Sequence, residues 1–595
     1  MTSQFSIADF GVLAAVLGIS ALIGVYFAWK GRKSTNNKEF LVGNRRLQVF
    51  PVTLSMMASF LSSIALIGIP AENYVHSFQY IVCISGIVIS IILAAHVFLP
   101  VFYDMEMVSV NQYLEKRFKS VFLRKLTSLL TILQVSLYMG IVLYGPSLAL
   151  GSVTGLPIWL SIILNGTVCA FYTALGGIKA VVWTDVVQML LMITGFLMVI
   201  IKGSIMAGGI DSVFQTAKEA GTLVVFDFSA DVHKTFTFWS ILFGGGMHWI
   251  IGFCTSQTIV QRYCGLPSKS NARRALYANM LGISFTVALS CVCGLVLFSV
   301  YRHCDPVKAS VIRKYDELMP HFVAENLNYM PGLSGLFVAA VYSGSLSTMS
   351  SGYNSMAAIT WEDFIQSKFK LSPAAIVWTT KGIAAAYGLL AIVIAFLASF
   401  LSSVLRASYV LTGAAGGATG ALFFIGVLFP WCGKKAALLS LLLGMGVSAW
   451  ISVGSIIYPK QPAVARTGLD GCTFNYTLRG PSQGWYPTEG ILKLYHIGYP
   501  WVPAISFFTT LAMGMLIPSL FGFKNADPVD PKLLTPVVRR FYTRPGRSGE
   551  TTLNDKAKNK ILPLGTKNNQ TKGCINPTLR ICNEKQPPNL SSTTL

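Results

Sequence analysis

Between Tyr342 and Ser355 the chain places Gly344, Ser347, Thr348, Ser351 and Ser355 at i, i+3, i+4, i+7 and i+11, so a helix there carries one face of hydroxyls. Hydroxyl and carbonyl oxygens are what a hard cation such as sodium takes in place of water. The same residue types also glue apolar helices together, or bond back to the carbonyl four residues earlier, so composition leaves both readings open. A second stretch holds Ser55, Ser59, Ser62 and Ser63 within nine residues, with Gly68 and Pro70 beyond. That composition suits a locally unwound helix with free carbonyls. Asp185, at the start of a long apolar run, is either a functional carboxylate or an interfacial one paired with Lys179. Gly244, Gly245 and Gly246 precede His248 and Trp249 and weaken a helix at a place where a backbone or a ligand can come close.

These residues sit in a chain of 595 residues that is 53% hydrophobic and 12% charged. Soluble domains carry about 25% charged residues. A cytosolic enzyme, a disordered scaffold and a secreted disulfide domain are thereby excluded. The pattern predicts an all-α polytopic membrane protein with about 13 apolar runs. The second covers 51–70, the sixth 181–207, the seventh 237–257, the ninth 331–360 and the eleventh 404–430. With the N-terminus outside, cytoplasmic loops hold 20 Lys and Arg and outer loops 11, so the bias favours N-out and C-in. The net charge of +22 then reflects membrane orientation rather than nucleic-acid binding. In the eleventh run, Gly413, Gly416, Gly417 and Gly420 predict close helix packing.

The transmembrane domain is expected over 1–522, and 523–595, rich in Lys, Asn, Pro, Ser and Thr, reads as a disordered cytoplasmic tail. The tail ends Thr593-Thr594-Leu595, a form that suits a PDZ groove. Asn475-Tyr476-Thr477 is a glycosylation sequon in a loop that this topology places outside. Cys304 and Cys472 fall in outer loops and are free to pair if they meet. Neither a metalloprotease motif nor a nucleophile with a base is present, so the chain is not expected to be an enzyme.

Three segments then carry a resemblance. Residues 176–188 (Gly-Gly-Ile-Lys-Ala-Val-Val-Trp-Thr-Asp-Val-Val-Gln), Gln261-Arg262-Tyr263 followed by Gly265, and the stretch from Ser343 to Trp361-Glu362-Asp363 resemble the sodium/solute symporter family. Phe60-Leu61-Ser62-Ser63 with Gly68-Ile69-Pro70-Ala71-Glu72 is most similar to its monocarboxylate, multivitamin and iodide branch. The resemblance implies a LeuT-like 5+5 inverted repeat, over about 51–207 and 237–430, with an extra N-terminal helix and two C-terminal helices. It implies Na+ as coupling ion, held by the carbonyls of Ala58, Leu61 and Gly344 and the hydroxyls of Ser347 and Thr348. Asp185 matches an aspartate linked to coupling or gating. The implied substrate cavity falls on Phe60, Ala65, Tyr138 and Trp249, where Ala65 replaces the iodide carrier's glutamine. His248 beside it reads as a packing residue.

The expected function is sodium-coupled symport of a small organic anion, monocarboxylate-like, across the plasma membrane, with sodium, that solute and the lipid bilayer as partners. The rivals are a multivitamin, iodide or other-solute symporter, or a non-transporting sodium or solute sensor of the same fold.

Overall fold

The computed structural model describes residues 5–30, 45, 47–105, 107–175, 178–328, 330–400, 403–461, 463–473, 486–523 and 528–542. Its helices, labelled where they are used below, are α1 (Ile7–Lys30), α2 (Val49–Phe60), α3 (Ile69–His76), α4 (Cys83–Leu93), α5 (Gln112–Phe118), α6 (Val121–Thr154), α7 (Ile158–Leu175), α8 (Ile178–Met206), α9 (Gly246–Thr255), α10 (Gln257–Cys264), α11 (Lys269–Tyr301), α12 (Leu333–Thr360), α13 (Pro373–Ala398), α14 (Val404–Leu428), α15 (Lys434–Ile457), α16 (Trp501–Leu520) and α17 (Pro536–Tyr542). Among the described residues, eight helical segments are long and apolar enough to cross a membrane. The α2–α3 pair, bent by 57°, would add a ninth. Local chemistry sets several starts: Ser120, Ser268, Ser372 and Ser403 each accept a backbone N–H as N-caps of α6, α11, α13 and α14.

The helix with the hydroxyl face, α12, is not among those eight spans. Too polar for lipid, it is wrapped instead by α1, α2, α6, α7, α8 and α13, and nearly every residue from Ser334 to Ile359 is buried. Its N-terminus is held by buried Asp9 of α1, whose Oδ1 accepts the amides of Gly332 and Gly335 at 3.0 and 2.9 Å.

The second run breaks where its serines cluster. After α2 comes a non-helical Leu61 (φ −86°, ψ 78°), then a π turn over Ile64–Gly68 that leads into α3. The glycines of the seventh run behave differently from expectation. Ser240–Gly245 forms a π turn that continues into α9, and the helix is interrupted at Ser256 (φ −68°, ψ 128°), ten residues beyond Gly246. What the glycines provide is close approach. A Cβ on Gly244 would lie 2.4 Å from the Pro500 carbonyl oxygen, and one on Gly86 of α4 would lie 2.7 Å from Gly246 Cα. Gly417 likewise lets α14 meet α16 at Pro503 and Ser506, as the spacing predicts.

Cys304 and Cys472 are disulfide-bonded. Beside them Asp305 accepts hydrogen bonds from Thr467 Oγ1 (2.6 Å) and from Tyr74 of α3 (3.1 Å). The expected tail boundary at 523 needs correction. Residues 528–542 fold onto the helical domain: Leu533 and Leu534 are buried, Tyr113 donates to the Leu533 carbonyl at 3.0 Å, and Thr535 N–H donates to the Val427 carbonyl at 3.2 Å. The segment's Lys and Arg mislead because its buried contacts are made by Val529, Leu533, Leu534 and Thr535 and by backbone groups. Asn475 and the 593–595 terminus lie outside the described residues.

Gly244→Ala should lower the melting temperature of the detergent-solubilised protein, through a packing cost of about 1–3 kcal/mol. Gly18→Ala, where a Cβ meets nothing within 4 Å, should not. Equal melting temperatures for the two variants would contradict the close approach at Pro500.

Candidate functional site

Every backbone polar group in a membrane interior needs a partner, so a broken helix depends on what faces it. Leu61 N–H still reaches the Met57 carbonyl, but among the described residues no backbone amide bonds the carbonyl of Ala58. What faces the break is α12. The place where a Cβ on Gly344 would sit is 3.2 Å from both Ser62 C and Ser63 N. Thr348 Oγ1 lies 3.0 Å from the Gly344 carbonyl and 3.3 Å from that of Ser59. Ser347 Oγ is buried without a hydrogen-bond partner. The structure thus brings Gly344, Ser347 and Thr348 to the break that carries Ala58 and Leu61, both buried. Carbonyl and hydroxyl oxygens with an unfilled acceptor fit a sodium ion; an apolar cage would not.

Asp185, on α8, is fully buried. Its Oδ2 accepts Ser55 Oγ at 2.5 Å and Arg262 Nη2 at 3.4 Å, while Oδ1 has no partner. Ser347 lies beside this carboxylate. One turn along α8, both amide atoms of Gln188 are also buried and unpartnered. Arg262, on α10, donates through Nε to Ser55 Oγ (2.8 Å), through Nη1 to the Thr258 carbonyl (2.9 Å) and through Nη2 to Ser351 Oγ. One guanidinium therefore bridges α2, α8, α10 and α12. The partner of Asp185 is Arg262 rather than the Lys179 that proximity in sequence suggests. The Gln261-Arg262-Tyr263 motif was the available signal.

A cavity of about 140 Å³ lies against the same wall. Phe60, Tyr138, His248, Ser59 and Thr348 line it, so it shares residues with the candidate ion site. Trp249 stands behind Phe60, 5.3 Å between ring centroids, and donates Nε1–H to Cys83 Sγ at 2.7 Å. The Ala65 carbonyl accepts Ser290 Oγ of α11 at 2.6 Å. Of the four expected cavity residues, Phe60 and Tyr138 are therefore on the wall, Trp249 packs against Phe60, and Ala65 is not among the lining residues. A second cavity, of about 190 Å³, is lined by Glu72, His76, Arg406 and Tyr499. The rings of Tyr499, Tyr409 and His248 run from it to the first, with centroids 5.5 and 4.7 Å apart.

The third motif closes the end opposite the disulfide. Asp363, just past α12, accepts Arg124 Nε at 2.8 Å and Ser109 Oγ at 2.9 Å, while Arg124 also holds Glu115. This clamp is a structural use of a carboxylate that composition alone did not explain.

A model of the sodium:solute symporter family matches residues 40–444. The chain is 38% identical over 551 residues to the sodium-coupled monocarboxylate transporter 2 of Danio rerio, covering 90% of this chain and 87% of that one. It is 37% identical to the human sodium-coupled monocarboxylate transporter 1, over 88% and 89% of the two chains. It is 34% identical to the rabbit (Oryctolagus cuniculus) sodium-dependent multivitamin transporter, over 99% and 94%. These relatives are transporters, not enzymes. A solved Na+-coupled sialic acid symporter, 22% identical, superposes with a TM-score of 0.71 over 88% of this chain and all of that one, which shows a shared fold. The chain belongs to the sodium:solute symporter family.

Proposed function

We propose that the chain is a sodium-coupled symporter that carries a small organic anion, monocarboxylate-like, into the cell by alternating access. The observation that carries this reading is the wall shared by Ser59 and Thr348. Both line the cavity, and both meet at the break where buried oxygens fit sodium. The monocarboxylate transporters among the relatives support the substrate class. A multivitamin substrate is the second reading, because that relative aligns over 99% of this chain.

In this reading the carbonyls of Ala58, Leu61 and Gly344 and the hydroxyls of Ser347 and Thr348 hold Na+. Asp185 senses the ion from beside Ser347. Sodium supplies an uncompensated positive charge at the cavity wall. The chain's own residues do the rest: Phe60 and Tyr138 enclose the solute, and Arg262 holds α2, α8, α10 and α12 together until the path on its side opens. Sodium couples to the solute only if one state binds it better than the other. The break supplies such a difference, because moving α2 against α12 changes the distance between the two halves of the ligand set.

The same reading assigns 13 spans, with a 5+5 inverted repeat over about 51–207 and 237–430, the N-terminus outside and the C-terminus in the cytoplasm of a plasma-membrane protein. It puts the disulfide end outside, with a glycan on Asn475, and leaves Thr593–Leu595 for a PDZ domain.

Three outcomes test it. Cells expressing the chain should accumulate radiolabelled lactate, pyruvate or butyrate with sodium but not with choline; uptake of biotin or pantothenate alone would favour the multivitamin reading, and no uptake by verified surface protein would refute symport. Thr348→Ala should raise the half-saturating sodium concentration by on the order of tenfold, the loss of one charge-assisted contact; an unchanged sodium dependence would remove Thr348 from the site. Asp185→Asn leaves Arg262 buried without its counter-charge, at a cost of about 3–5 kcal/mol. Its melting temperature should fall and partly recover in the Asp185→Asn/Arg262→Gln double variant. An additive further fall would show that the two residues are not a pair.

A further inference from the structure

The cavity beside the break poses a problem for an anion. None of its described lining residues is Asp, Glu, Lys or Arg. Its hydroxyls are numerous, but most are spent as donors. Thr131, Thr255, Thr412 and Thr419 each donate to a carbonyl of their own helix, at 2.8, 2.9, 2.5 and 2.9 Å. Ser59 and Ser355 do the same, at 2.8 Å each. A hydroxyl whose proton is committed presents only lone pairs, which attract a cation and repel a carboxylate. The Gln257 amide is occupied by the Val108 carbonyl at 2.6 Å.

Two side-chain N–H donors on the wall are not committed. The His248 imidazole packs on Tyr409, centroids 4.7 Å apart, and neither ring nitrogen has a hydrogen-bond partner among the described residues. The Gln134 amide has none either. It occupies the space that Gly416 leaves by lacking a side chain, since a Cβ there would fall 2.5 Å from Gln134 Nε2. Gly416 thus makes room for a polar group, a different use from the helix packing that its spacing suggests. Both donors line the same cavity against α14, Gln134 at Gly416 and His248 at Tyr409. Tyr138, one turn from Gln134 on α6, adds a hydroxyl held only loosely, 3.4 Å from Ser62 Oγ.

We propose that His248 and Gln134 are the specificity-determining residues that recognise the substrate's carboxylate, each through one N–H, with Tyr138 alongside. The pocket then separates the two cargoes by hydrogen-bond polarity. The wall toward α12 presents lone pairs to sodium, and the wall between α6 and α9 presents protons to the anion. The inference rests on the symporter reading above and names the groups that make its substrate an anion. A neutral imidazole suffices, because the group needed is a donor rather than a charge.

The test is sodium-dependent uptake of radiolabelled lactate, pyruvate and butyrate by the full chain in cells, with KM measured at saturating sodium and the sodium dependence measured at saturating carboxylate. His248→Phe and Gln134→Leu keep volume and remove the donor. Each should raise the carboxylate KM by about 10- to 100-fold, the range for a lost hydrogen bond to a charged group. The half-saturating sodium concentration should stay within about twofold of wild type, well inside the effect of one charge-assisted bond. His248→Gln, which restores an N–H, should recover most of the affinity. KM does not depend on how much protein reaches the surface, so reduced expression does not obscure the result. Carboxylate uptake by wild type with an unchanged KM in both donor-free variants overturns this inference and leaves the symporter reading standing. Loss of sodium affinity in parallel with carboxylate affinity, or no rescue by glutamine, also overturns it, since packing residues would behave that way. Absence of carboxylate uptake by wild type overturns the reading beneath it.

Discussion

The structure depends on one constraint: a peptide chain that stops being helical inside a membrane must find partners for its carbonyls and amides within the protein. Beside the break the Ser59 carbonyl finds its partner in Thr348 Oγ1, at 3.3 Å, on a helix that is itself unfit for lipid. Ser345 Oγ and Ser63 Oγ both donate to the Val142 carbonyl, at 2.9 and 3.0 Å, tying α12 and the break to a common point on α6. Ser62 Oγ accepts the Ile64 amide at 3.2 Å and so supports the turn from within. The break and the hydroxyl face are therefore two halves of one device. Neither is stable in this environment without the other, and the oxygens left unfilled where they meet are the ones that fit a cation.

Burial of charge follows the same logic. Desolvating an aspartate alone is prohibitive, and Arg262 makes Asp185 tolerable by offering one of five N–H groups, with the others shared among Ser55, Ser351 and the Thr258 carbonyl. A lysine could not divide its hydrogen bonds among four helices in this planar way. The carboxylate's Oδ1 is left without a hydrogen-bond partner, and Ser347 lies beside that carboxylate. Stability and chemistry are thus built from the same few atoms.

Much of this was legible in the sequence because it is written in composition. Serines in an apolar run mark a helix that cannot face lipid, and hydroxyls at helical spacing mark the face that answers them. Asp185 stood out for the same reason. What was not legible was anything that depends on which helices meet. Arg262 looks like a loop cation until α10 is seen to turn inward after Ser256. The Gly244–Gly246 triplet looks like a break, yet the strain is taken up by a π turn and the interruption falls at a serine with no local signal. Trp249 and Ala65 do not line the cavity, and no residue type reveals that. The chain from 528 to 542 reads as a polar tail because its anchoring is done by a few buried side chains, Val529, Leu533, Leu534 and Thr535, and by backbone hydrogen bonds.

The bond between Cys304 and Cys472 has a mechanical consequence. It joins two loops far apart in sequence, and Asp305 fastens that joined unit to Tyr74, on the half-helix beyond the break. A force or a binding event at the linked loops is thereby transmitted to α3 as a lever is moved by its handle, with the break as fulcrum. The same coupling runs in reverse: when α3 tilts, the loops that it carries must tilt with it, so the surface displayed at that end of the molecule is a readout of what the half-helix is doing below.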